Sequence, residues 1–319
     1  MMGEAPEGAA VPAAVEGARA RCFYSGTRRH PVYVDRFFPP SAAAGRLPLV
    51  MLHGGGHTGT CWMATPDGRP GWAPIFAAGG RDVLVADWPG HGRSPMAADF
   101  AGLGTEDIAR ALLAVLEDVG PAILMTHSAA GPIGWWMAEQ RPDLVAAIVG
   151  IAPGPPANLL PDLPGDPAAI LALKDDESVG CPVYAPEDRP VWFGEAFAAA
   201  YWANAPRFPQ AGLAAYLRSI VPESARVLNE RFNIGGRGLR IRDPANVAGR
   251  PILIVTGDHD RRHPRAVDGA TAAYLGATFL WLPDHGITGN GHMMMIEDNS
   301  DAIARLIGQW LDGLPVDRA

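Results

Sequence analysis

The stretch from Ala122 to Gly131 limits what this chain can fold into more than any other. Ala122-Ile123-Leu124-Met125 is apolar and reads as a buried strand, small residues then surround one serine, Ser128, and Pro132 to Glu139 can continue as a helix. A serine at such a strand-to-helix turn is forced into strained backbone angles, and the residues two before and two after it must be small because strand and helix pass close together. Thr126 and Ala130 meet that size limit, with Gly131 just beyond. The usual pattern is Gly-x-Ser-x-Gly, and this is a relaxed version of it. Taken alone, the stretch suits equally a helix N-terminus that Ser128 merely caps.

The rest of the chain alternates strand and helix signals. Residues 31–37 alternate well enough for a strand, and residues 47–52 and 82–87 are short apolar runs of the kind that parallel strands bury on both faces. From Thr105 to Val119 apolar residues recur at helical spacing, with Thr105 as the expected N-cap and Gly120-Pro121 as the stop. Further strands are expected at 144–151, 251–255 and 277–282, and helices at 265–275 and 300–311. Alternation of this sort implies an α/β fold with a mainly parallel central sheet flanked by helices.

Residues 156–247 break the rhythm, being rich in Pro, Ala and aromatic residues, with helical stretches at 194–203 and 210–218. An apolar but irregular insertion after a core strand reads as a lid over a pocket, or else as the ordinary packing of a subdomain. The expected organisation is a loose arm over 1–29, a core from 30–155 and 248–319, and a lid over 156–247. Asp175-Asp176-Glu177 reads as a solvated turn rather than a metal site.

Composition narrows the function. At 319 residues with 48% hydrophobic, the chain can bury a sizeable core, and a net charge of −8 offers no basic face for nucleic acid. Cys22, Cys61 and Cys181 lie far apart and lack zinc-type spacing, so free thiols and no structural metal are expected. The first twenty residues have neither a basic start nor an apolar run, which points to cytoplasm and away from a signal peptide or membrane anchor.

Two further stretches carry chemistry. His53-Gly54-Gly55-Gly56-His57 follows a strand, and its glycines let backbone N–H groups turn toward a ligand, as an oxyanion hole requires. A flexible turn is the bland alternative; the Lys-Ser/Thr ending of a phosphate loop is missing. Residues 256–260 end a strand with Asp258 and Asp260, and residues 283–292 contain His285 and His292. Trp88-Pro89-Gly90-His91-Gly92 offers another histidine, read as a satisfied loop residue. A serine hydroxyl is a weak nucleophile until a histidine takes its proton, and that histidine needs a carboxylate to fix its tautomer. Three strand ends thus offer nucleophile, acid and base in the order Ser, Asp, His.

On these motifs, together with Gly90-His91-Gly92-Arg93-Ser94, Gly257-x-x-Asp260 and Gly291-His292 followed by Glu297, the chain resembles the α/β-hydrolase fold over roughly residues 30 to 312. Thr65-Pro66-Asp67-Gly68-Arg69, Thr126-His127-Ser128, Arg141-Pro142-Asp143-Leu144 and Gly289-Asn290-Gly291-His292-Met293-Met294-Met295 are similar to a bacterial serine esterase subgroup. That subgroup carries a glutamate where this chain has Ala152. The resemblance implies an ester or lactone hydrolase in which Ser128 attacks the carbonyl, His292 is base and then acid, and Asp260 orients His292. It implies an oxyanion hole at the N–H groups of Gly55 and Ala129, and no cofactor. His285 is the alternative base and Asp258 the alternative acid. Pocket walls are expected at Trp135, Met293, Trp192 and Trp202, around a small-molecule ester that is largely apolar and uncharged near the scissile bond. Cleavage of a carbon–carbon or amide bond, acyl transfer, and a non-catalytic binding protein on the same scaffold are the other readings. A homodimer is a family-level expectation.

Overall fold

The computed structural model describes residues 19–41 and 45–315. Eight strands, β1 (Arg19–Gly26), β2 (Pro31–Phe38), β3 (Leu49–Leu52), β4 (Val83–Asp87), β5 (Ala122–His127), β6 (Val145–Ile151), β7 (Ile252–Thr256) and β8 (Thr278–Trp281), form one sheet in the order β1-β2-β4-β3-β5-β6-β7-β8. From β4 to β8 every neighbouring pair is parallel, while β2 runs antiparallel to both β1 and β4. This is the α/β-hydrolase fold, with helices on both faces of a mostly parallel sheet.

Side chains alternate across a strand, so each uninterrupted apolar run divides between two cores. Leu49, Met51, Val85, Met125, Val149 and Val255 pack beneath Trp72, Phe76, Ile303, Ile307 and Leu311. Val50, Leu52, Leu84, Leu124, Ile148 and Ile254 face Ile108, Leu112, Leu116, Ile133, Met137 and Leu275 on the other side. The helices Thr105–Val119 and Arg265–Leu275 have the expected bounds. Thr105 is not the N-cap, however. Gly104 holds that position, its N–H donates to Asp107 (3.0 Å), and the N–H of Thr105 donates to Glu230 (2.7 Å). A carboxylate from a distant helix replaces the local cap.

The loose arm expected over 1–29 is corrected from Arg19 onward, because β1 pairs with β2 along its whole length, from Arg19 opposite Phe38 to Gly26 opposite Pro31. No residue of β1 whose side chain is described is fully buried, so the strand is held by main-chain pairing and leaves no apolar run in the sequence to reveal it. The remainder of that arm, residues 1–18, lies outside the described residues.

Between β6 and β7 the insertion is built from short helices, including Glu195–Tyr201, Leu213–Arg218 and Ala225–Arg231. Leu163, Ile170 and Ile234 give it a small apolar cluster of its own. Polar bonds fasten it to the core: Ser224 Oγ donates to the carbonyl of Leu103 (2.6 Å), and the N–H of Val221 donates to the carbonyl of Gly56 (2.9 Å).

Close approach of the helix Ala130–Gln140 to β5 and to the loop after β6 shows where small residues are required. A Cβ on Gly131 would stand 2.4 Å from the carbonyl oxygen of Gly154, and one on Gly134 would stand 2.7 Å from Cγ2 of Thr126. Ala130 is fully buried with its methyl accommodated, so the tight position lies one residue later than the usual pattern puts it. Helix propensity alone would make Gly131→Ala stabilising by about 1 kcal/mol. Overpacking against backbone should reverse the sign, to a loss of about 1–3 kcal/mol. Equilibrium denaturation reads the difference, and a more stable variant would contradict the packing described.

Candidate active site

Parallel strands bring their C-terminal ends to one edge of the sheet, and the residues singled out in the sequence follow four such ends: the glycine loop after β3, Ser128 after β5, Asp260 after β7 and His292 after β8. Ser128 has φ of 52°, a left-handed conformation costly for a residue with a Cβ. Its turn is over-determined: its N–H donates to Ile151 (3.2 Å), and its carbonyl accepts from Gly131 (2.8 Å) and Gly154 (2.7 Å). Ala152, at the end of the neighbouring β6, is also left-handed, with φ of 41°.

Ser128, His292 and Asp260 form one hydrogen-bonded chain. The Nδ1–H of His292 donates to Asp260 Oδ2 (2.9 Å), since a carboxylate can only accept, and this leaves Nε2 to accept from Ser128 Oγ (3.0 Å). The other oxygen of Asp260 accepts from the backbone N–H of Arg262 (2.7 Å) and of His263 (3.0 Å). Burial works against the Asp260 charge, but His292, His263 and these donors outweigh it and hold the carboxyl at about 2. Burial lowers His292 below the ordinary histidine value, against the charge and hydrogen bond of Asp260. At neutral pH the imidazole is therefore uncharged, with its lone pair toward the serine.

A second histidine–carboxylate pair backs the first. The ring of His263 stacks on His292 with centroids 5.2 Å apart and planes 13° apart, and it pairs with buried Asp268 (3.2 Å), which also accepts from Thr256 Oγ1 (2.6 Å). The His292 loop is fixed from three directions. Asp258 accepts from the N–H groups of Gly289 (2.8 Å) and Asn290 (3.0 Å), and Glu297 accepts from those of Gly291 (2.8 Å) and the Asn290 amide (2.6 Å). Nε2–H of His127 donates to the carbonyl of His292 itself (3.0 Å). Burial pushes the Glu297 carboxyl up to about 8. Asp258 is thus a loop clamp, and His285 is exposed on a 3-10 turn away from the serine.

In the glycine loop, peptide planarity decides which N–H groups face the cavity, because C=O and the following N–H point to opposite sides of a trans peptide. The carbonyl of Gly54 accepts from His53 Nδ1–H (2.8 Å) and from the N–H of His57 (3.3 Å), so the N–H of Gly55 is turned the other way. The carbonyl of Gly55 accepts from His57 Nδ1–H (2.8 Å), and the N–H of Gly56 on its far side donates to Glu223 (3.1 Å). Gly55 and Ala129 then border one cavity beside Ser128, and their N–H groups enter no backbone hydrogen bond among the described residues. Gly54 must be glycine, since a Cβ there would lie 2.9 Å from that of Ser128; Gly56 has φ of +70° and faces the ring of Phe193.

The cavity is a partly open cleft, and most of its wall comes from the insertion: Phe193, Phe197, Trp202, Glu223, Val227, Leu228 and Arg231 join Arg262, His292 and the Ser128 turn. Trp202 therefore lies in the wall, but three other expected wall residues do not. Trp135 is fully buried beside β6, its Nε1–H donating to Gly154 (3.0 Å); Met293 is fully buried in the sheet core; Trp192 is 73% exposed. Each has the right composition for a wall, yet helix rotation and loop direction send it elsewhere. Glu223 was not foreseen. It is 2% exposed, accepts from Ser224 (2.8 Å) and pairs with buried His91 (3.3 Å). Burial opposes the charge of His91, and the Glu223 carboxylate outweighs it, raising the histidine above its ordinary value.

A model of the alpha/beta hydrolase family matches residues 49–306. The probable secreted lipase phiG of Fungal sp. (strain ATCC 74256) is 26% identical over 361 aligned positions, which cover 91% of this chain and 88% of the lipase. The esterase RhEst1 from Rhodococcus sp. ECU1013 superposes with a TM-score of 0.62 at 17% identity, over 93% of this chain and 99% of that one. The methylesterase MES16 from Arabidopsis does so with a TM-score of 0.60 at 13% identity, over 84% and 100% of the two chains. Likeness at such identities concerns the fold alone. With the family pattern running from β3 into the last helix, this chain belongs to the alpha/beta hydrolase family.

Proposed function

We propose that the chain is a serine hydrolase of carboxylic esters or lactones, working through an acyl-enzyme on Ser128. The observation that carries this reading is the hydrogen-bonded chain from Ser128 Oγ through His292 to Asp260, set beside the N–H groups of Gly55 and Ala129. The lipase and esterase names of its relatives agree with it.

In this reaction the hydroxyl proton of Ser128 passes to His292 Nε2 as Oγ bonds to the ester carbonyl. The developing oxyanion is stabilised by the two N–H groups, and collapse returns the proton to the departing alcohol. Water then repeats the sequence, freeing the acid and restoring the serine. Asp260 holds the tautomer and offsets the imidazolium charge. The insertion acts as a lid whose apolar residues Phe193, Trp202, Val227 and Leu228 hold the body of the substrate. Seating those side chains on the glycine loop excludes water and sharpens the electrostatics of the site.

Ser128→Ala should leave the fold intact and lower turnover of a p-nitrophenyl ester by about 10⁶. Labelling by a fluorophosphonate probe should disappear with it. Activity within tenfold of the parent chain would refute the nucleophile assignment.

The base form of His292 is the neutral one, and burial extends it to lower pH. The rise of kcat/KM with pH should therefore have its midpoint below the ordinary histidine value of 6.5. Asp260→Asn removes an influence that raises His292, so the same limb should move further down in pH while the plateau falls by up to about 10⁴. A limb that stays put or moves up, measured across pH 4 to 8 (roughly the window where histidines titrate), would separate Asp260 from the base.

A further inference from the structure

The cavity in front of Ser128 holds two cations that the ester chemistry leaves unused. Arg231 ends the helix Ala225–Arg231 and Arg262 lies two residues past Asp260, and both line the wall shared by Ser128, Ala129 and His292. Both are half-buried. Several other arginines of this chain have polar partners: Arg36 meets Asp82, Arg93 meets Asp35 and Asp87, Arg226 meets Glu230, Arg237 meets Glu187, and Arg250 meets backbone carbonyls. Among the described residues the guanidinium groups of Arg231 and Arg262 meet rings only. Arg231 lies 5.1 Å from the ring centre of Phe232, and Arg262 lies 5.9 and 5.7 Å from those of Phe197 and Tyr201.

The carboxylates at the cavity are committed to other partners. Asp260 accepts from His292 and from two backbone N–H groups, while Glu223 is taken by His91, Gly56 and Ser224. Two partly buried like charges on one wall, neither in ion-pair contact with a carboxylate among the described residues, are costly. Burial and the charge of Arg262 both depress the proton affinity of Arg231, burial depresses that of Arg262, and the pull of Asp260 on each only partly offsets this. A ligand anion would relieve both, and two planar forks of N–H donors suit a carboxylate or phosphate.

We propose that Arg231 and Arg262 clamp an anionic group, a carboxylate or a phosphate, on the substrate of the Ser128 site. The inference rests on the ester-hydrolase reading for its chemistry, and it replaces the expectation of an uncharged substrate with an apolar body that ends in a negative charge.

The test compares p-nitrophenyl butyrate with the p-nitrophenyl half-ester of glutaric acid on the whole 319-residue chain. The half-ester should have kcat/KM at least tenfold higher. Arg231→Gln and Arg262→Gln should each cut the half-ester to butyrate ratio tenfold or more, and Arg→Lys at either site should restore part of it. A ratio of one or less in the parent chain, or a ratio unchanged in both Gln variants, would overturn the proposal. Should the variants fail to fold, inhibition of the parent chain decides: glutarate or monobutyl phosphate should bind at least tenfold more tightly than butyramide, the tighter anion naming the group, and equal binding of all three would reject the clamp. Failure of the hydrolase reading looks different. Neither ester would then be cleaved and Ser128 would resist fluorophosphonate, while glutarate or monobutyl phosphate would still raise the Tm of the parent chain but not of the Gln variants.

Discussion

Everything at this site depends on a buried carboxylate that stays ionised. Asp260 is 7% exposed, and burial alone would favour its neutral form, yet two backbone N–H groups and the His292 imidazole hold it charged. Because it is charged, His292 must carry its proton on Nδ1, and because Nδ1 is occupied, Nε2 is free for Ser128. The stack of His263 on His292 and the clamps at Asp258 and Glu297 keep that imidazole from turning. A single ionisation thus sets the tautomer and the ring orientation and, in the proposed reaction, the direction of proton transfer.

The serine side of the bond is held by strain rather than charge. A left-handed Ser128 costs about 1–3 kcal/mol, and the parallel pairing of β5 with β3 and β6, together with the bonds to Ile151, Gly131 and Gly154, resists its relaxation. What that geometry gains is a hydroxyl at the sheet edge that meets His292, with Ala129 bordering the same cavity. Gly54, Gly131 and Gly134 belong to the same constraint, since a methyl at any of them would push backbone or side chain out of place.

The insertion contributes a different kind of control. Glu223 reaches from it to the glycine loop, fixes the N–H of Gly56 and pairs with His91, so one acid couples the β3 loop, the β4 loop and the insertion. Helix Ala225–Arg231 supplies Val227 and Leu228 of the apolar wall together with Arg231. In the proposed reaction, the core determines what chemistry is done and the insertion determines on what.

The sheet was legible in the sequence because parallel strands buried on both faces read as apolar runs wherever they occur, and the helix Thr105–Val119 because its apolar residues recur at helical spacing. Ser128 and the glycine loop stood out because each follows an apolar run, whereas strand ends alone left Asp258 beside Asp260 and His285 beside His292, and the α/β-hydrolase resemblance chose between them. The edge strand β1 was missed, since its stability comes from main-chain pairing and its side chains are largely outside the cores. Trp135 and Met293 were misplaced for a related reason: an apolar side chain fits a wall and a core equally well, and only the rotation of its element chooses between them, while Trp192 lies on a loop that leaves it exposed. Glu223 and Arg231 had no local signal at all. They lie about a hundred residues from Ser128 in sequence, roughly the scale of a whole domain, and their positions follow from how the insertion folds back onto the strand ends, a long-range packing outcome that no neighbouring residue records.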